Sequence, residues 1–243
     1  MLRGVFFSGW MAIACGQTAA PTFEVASIKP HPGPVTVEGL SISGTLVGET
    51  AVDLMDLVVD AYNVRRDQVS GGPDWSNGTA RYDIQGKATT GEREPSREQV
   101  RQMLQSLLAD RFKLVIRREA VETPVYALVL AKGGTKLRPS DKPTGIMGRP
   151  TDTGRRIEGS VTMEFLAKQL STPAGRLVVD QTGLTGNFSI ALEWTPLNVT
   201  PPDGTASLSI FTAVQDQLGL KLEPTKAPVE KLFIEHAEKP ETD

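Results

Sequence analysis

Carboxylates at Asp74, Asp83, Asp180 and Glu193 are the groups through which this 243-residue chain could do acid–base chemistry. Two carboxyls set across a cleft, one protonated and one ionised, would support hydrolysis of a glycan. Nothing in their spacing singles out one pair, because a chain of this size offers many. Only two histidines occur. His31 stands among Pro30, Pro32 and Pro34, and His236 closes the last apolar run. A lone histidine in such a place is ordinarily structural. The chain holds no His-Glu-x-x-His, no paired-cysteine motif, no phosphate loop and no Gly-x-Ser-x-Gly elbow. No catalytic residue, metal ligand or cofactor is therefore assigned.

Two loops are candidates for binding instead. Gly71-Gly72-Pro73-Asp74-Trp75 sets an aromatic side chain beside a rigid turn, an arrangement that can hold a ligand or a partner chain. The plainer reading, which is favoured, has Trp75 plugging its own domain while the glycines serve the turn. Asp180, Thr182 and Gly183 lead the second loop, Asp180 to Gly186. There the plainer reading is a wide turn whose Asp and Thr side chains bond their own backbone. A basic cluster at Arg111, Lys113, Arg117 and Arg118 could hold an anionic envelope polymer. Net charge is −3, which argues against nucleic acid as the main partner.

These residues must be positioned by regular elements, and the apolar spacing supplies four helices. The first runs from Val52 to Tyr62, with Asn63 suited to a left-handed stop. A second follows the capping box Ser96/Gln99 and buries Val100, Met103, Leu104, Leu107 and Leu108. The third begins after Thr162, and the fourth runs from about Ser209 to a stop at Gly219. Behind each helix come two strands. Phe112 to Arg117 and Val125 to Leu130 read as a hairpin closed by Gly133-Gly134. Leu220-Lys221-Leu222 and Lys231 to Glu235 hold the equivalent place later. Equivalent elements recur at an offset of about 110 residues. The expected fold is therefore α+β: two tandem similar lobes, each a small sheet with two helices packed on one face, built from helix-strand-strand four times. The expected lobes are 21–142 and 143–243, joined through a linker from Arg138 to Asp152 rich in Pro, Gly and Thr.

Residues 1–20 have the parts of a secretory signal peptide: Arg3, an apolar stretch from Val5 to Ala14, then small residues. The chain is thus expected to be exported, periplasmic or extracellular. A lipid anchor at Cys15, the only cysteine, is the lesser alternative. No other segment approaches membrane-spanning length. A single cysteine forms no intramolecular disulfide, so buried apolar cores must carry stability.

Four stretches carry a resemblance to a known family: Phe23 to Pro30, Gly71 to Trp75, Leu107 to Leu114 and Val179 to Gly186. On these the chain resembles a family of uncharacterised exported proteins, abundant in soil-dwelling acidobacteria. The resemblance implies export and a sensory or binding role, and no established activity. The order of elements is distantly similar to the short N-terminal domain of secretins and TonB-dependent receptors, a periplasmic protein-interaction module. The function expected is a non-catalytic binding module of the cell envelope, its partner an envelope protein or glycan. A secreted hydrolase acting on glycan or peptide with carboxylate catalysis is the alternative.

Overall fold

The computed structural model describes residues 21–33, 39–89, 93–199 and 207–242. The expected signal peptide with Cys15, and Pro34 beside His31, lie outside these residues. The chain divides into two compact units, Met1–Glu119 with Glu230–Asp243, and Ala120–Val229.

The described part of the first unit begins with β1 (Phe23–Pro30), β2 (Gly39–Ser43) and β3 (Leu46–Val52). After α1 (Leu54–Tyr62) come β4 (Val69–Gly71), β5 (Tyr82–Ala88) and α2 (Arg97–Arg111). β1, β5, β3 and β2 form an antiparallel sheet in that order. α1 starts where Asp53 accepts the Asp56 N–H and Asp56 reciprocates on the Asp53 N–H. It ends at Asn63 in the left-handed conformation. Ser96 and Gln99 form the same reciprocal cap on α2. Its stripe Val100, Met103, Leu104, Leu107 and Leu108 is buried, each side chain contributing about 1.5–3 kcal/mol. Phe112, fully buried, meets Tyr82 edge-on with ring centres 5.6 Å apart.

In the second unit, β7 (Arg138–Ser140), β8 (Gly145–Thr151), β9 (Gly154–Val161) and β11 (Asn187–Trp194) form an antiparallel sheet ordered β7-β11-β9-β8. α3 (Met163–Ser171) and α4 (Ile210–Leu218) share a core with its inner face, and β10 (Val178–Asp180) lies between α3 and β11 in sequence. A third sheet is built on two long strands, β6 (Val115–Leu130) and β12 (Leu220–His236). In the first unit β4 runs parallel to β12, and in the second β10 runs parallel to β6.

The helices lie where the apolar spacing puts them, but the expected plan of two helix-strand-strand lobes does not hold. The chain is mostly β, with twelve strands in three four-stranded sheets among the described residues. The supposed hairpin after α2 is one strand of 16 residues, and its later counterpart one strand of 17. Between Arg117 and Pro124 there is no Gly or Asn to turn the backbone, so the strand runs on. The stretch read as a linker carries β7 and β8. Its Gly and Pro residues are tolerated because β8 is an edge strand. The strands ahead of α1 and α3, for which the helix-strand-strand plan has no place, are principal members of two sheets.

Gly219 closes α4 with φ at +66°. A Cβ there would also meet the Gly134 carbonyl and stand 2.8 Å from the Lys136 nitrogen. Gly219→Ala is expected to cost about 3 kcal/mol or more, combining left-handed strain with a backbone collision. An unchanged urea midpoint would contradict this.

Candidate functional site

Each loop singled out by sequence sits within one unit. Gly71 ends β4 opposite Ile234, and a Cβ on it would stand 2.8 Å from the Ile234 oxygen. Its φ of +81° has the same requirement for glycine. The Gly72 N–H donates to that oxygen at 3.1 Å. Pro73 accepts the Ser76 N–H at 2.9 Å, Asp74 is exposed, and Trp75 is half-buried against the first unit's core. Beyond the loop, Asn77 accepts from Arg66 at 2.6 Å and the Gly78 N–H donates to Asp53 at 2.7 Å. In the second unit, Asp180 Oδ1 accepts the Thr182 N–H at 2.9 Å and its hydroxyl at 2.8 Å. Thr182 Oγ1 accepts the Leu184 N–H at 3.1 Å, and Gly183 supplies φ of +70°. The Asp180 and Thr182 side chains are thus engaged within the turn itself.

The ionisable residues are likewise tied locally. His31 Nδ1 lies 2.9 Å from Asp83 Oδ1, which also accepts the Ala51 N–H at 2.9 Å. Exposed His236 faces Glu238 at 3.0 Å. Glu193 accepts from the hydroxyls of Thr153 at 2.7 Å and Thr151 at 2.9 Å, with Arg156 at 3.6 Å. These hydroxyls, then burial working against them, then the guanidinium, leave its carboxyl below the usual range. A general acid needs the opposite shift. In the basic cluster, Arg117 pairs with Glu119 and Glu235, Arg118 with Glu230, and Lys113 approaches Asp110. Among the described residues, no group of three or more His, Cys, Asp or Glu is placed to hold a metal ion. No helix of the described residues is long and apolar enough to cross a membrane.

A groove of about 580 Å³ in the second unit was not foreseen. The pairing of β9 with β11 sets Arg155 opposite Trp194 and Ile157 opposite Leu192, so all four share the sheet face that α3 and α4 cover. Ile157, Leu170, Trp194 and Ile210 make a buried floor. Above it stand Leu197, wholly exposed, and Phe211, 38% exposed. Phe211 meets Tyr126 edge-on at 5.1 Å, and Arg176 lies over the Tyr126 ring. The Thr195 N–H donates to the Leu208 carbonyl at 2.8 Å, and the Thr195 hydroxyl accepts the Leu208 N–H at 3.1 Å. These bonds fix the start of α4 against the end of β11. Two sequence signals were available: Leu197, an apolar residue in a turn-rich insertion, and Phe211, which stands off the buried stripe Ile210, Val214 and Leu218.

The described chain is thus a mostly β protein with four helices and an apolar groove in its second unit. The model of a family described as proteins of unknown function, DUF3738, matches residues 55–237. The chain belongs to that family. This is consistent with the resemblance to an uncharacterised family, while it shows neither an acidobacterial source nor the likeness to secretin-type domains. No curated protein and no solved structure matches the chain.

Proposed function

We propose that the chain is an exported, non-catalytic binding module of the cell envelope that holds an alkyl group of an envelope ligand in the groove of its second unit. The observation that carries this reading is the exposure of Leu197 and Phe211 above a floor of buried Ile157, Leu170 and Trp194. Apolar lips over an apolar floor gain by covering a ligand's hydrocarbon. A volume of about 580 Å³ falls in the usual range for small-ligand sites. Trp194, the aromatic residue of the floor, is only 7% exposed and leaves little ring face for a sugar to stack on, so an alkyl group suits the floor better than a glycan. Support for export is the apolar run Val5 to Ala14 with small residues after it.

The test is calorimetric titration with 1-decanol. Ala174 lines the groove and is half-buried, so Ala174→Trp fills the space. The parent protein is expected to bind one equivalent, and the variant, with unchanged circular dichroism, to bind at least about tenfold more weakly. No binding by the parent, or equal binding by both, would overturn the proposal.

A further inference from the structure

Among the described residues, Arg155 is the only charged one that lines the groove. It reaches that place through strand register: paired with Trp194 on β11 and with Pro150 on β8, it shares their side of the sheet. Gly148, two residues from Pro150, makes room for it. A Cβ at Gly148 would stand 3.3 Å from Arg155 Nη2. Neighbouring cations are occupied: Arg156 and Arg149 both pair with Glu158, and Arg176 lies over Tyr126. The Arg155 side chain has no hydrogen bond or ion pair among the described residues. None of the described residues in the lining is acidic. The groove also includes Ile210 and Phe211, whose backbone N–H groups begin α4 and have no partner within the helix.

Resting on the proposed alkyl-binding reading, we infer that the ligand is a single-chain amphiphile with an anionic head, its chain on the Ile157–Leu170–Trp194 floor and its head on the Arg155 guanidinium. Arginine presents a planar donor fork that matches a carboxylate, and the pair is strengthened beside low-dielectric walls. A cationic head would be repelled, and a neutral one would leave the guanidinium unused.

The experiment compares sodium decanoate, 1-decanol and decyltrimethylammonium by titration of the full chain, of Arg155→Ala and of Arg155→Lys. The parent is expected to bind decanoate about tenfold or more tighter than 1-decanol and decyltrimethylammonium weakest, with the decanoate preference shrinking as salt rises. Arg155→Ala should bring decanoate and 1-decanol to equal affinity, and Arg155→Lys should keep part of the preference. Equal affinities in the parent, or a preference that survives in Arg155→Ala, would overturn the anionic head while leaving the alkyl-binding groove in place. If none of the three compounds binds the parent, the alkyl-binding reading falls and this inference with it.

Discussion

Replacing Glu49 with glutamine is expected to stabilise the protein by about 3 kcal/mol at pH 7 and by almost nothing at pH 4. Glu49 lies on β3, opposite Ile84 of β5 and Leu40 of β2, with only 1% of its surface exposed. Neither carboxyl oxygen has a hydrogen-bond partner among the described residues. Burial, reinforced by the negative charges of Asp60 and Asp56, pushes the carboxyl from 4.5 up to about 8. The unfolded chain releases this proton near pH 4.5, whereas the folded chain keeps it to about pH 8. Folding therefore takes up a proton between those values. The stabilising contribution of the protonated group is complete below pH 4.5 and is lost progressively as pH climbs towards 8. Glutamine cannot ionise, so that slope disappears. Urea unfolding of both proteins from pH 4 to 8 checks this. Curves that stay parallel across the range would contradict it.

Asp53→Ala is expected to have the opposite effect, a loss of about 3 kcal/mol at pH 7. Asp53 is as deeply buried as Glu49, at 1% exposed, but fully partnered. It accepts from the Asp56 N–H at 2.8 Å, the Arg66 guanidinium at 2.9 Å and the Gly78 N–H at 2.7 Å. Burial works against its ionised form, and these three donors outweigh that and hold the carboxyl below the usual range. Alanine would uncap α1, release Arg66 and strip the anchor from the segment that follows Trp75. The carboxylate's contribution is present at neutral pH and lost as pH falls through its lowered value. The gap between parent and variant should thus narrow towards pH 3. A gap of equal size at both pH values would show that the charge plays no part.

The contrast between these two carboxyls shows how far the sequence could be read. Helix ends are legible because their signals are local: Ser96 with Gln99, Asn63 after Tyr62, and Gly219 after Leu218 each act within one turn of the backbone. Trp75 and its glycines are legible for the same reason. Glu49 is not, since Gly48-Glu49-Thr50 looks like an exposed polar step until register with Leu40 and Ile84 turns it inward. The long strands β6 and β12 escape because proline at 124 and 228 mimics a strand start in sequence. Edge strand β8 escapes because Gly145, Gly148 and Pro150 carry the composition of a linker. The groove escapes for a non-local reason too. Arg155 and Trp194 are 39 positions apart, and their meeting follows from the β9–β11 pairing.

Backbone amide NMR during titration with 1-decanol reports most directly on whether a hydrocarbon chain settles where the second unit is open. Shifts centred on Ala174, Leu197, Ile210 and Phe211, with Gly71 to Trp75 unmoved, are the predicted result. Shifts centred on Gly71 to Trp75, or a spectrum that stays unchanged at saturating decanol, would contradict the account.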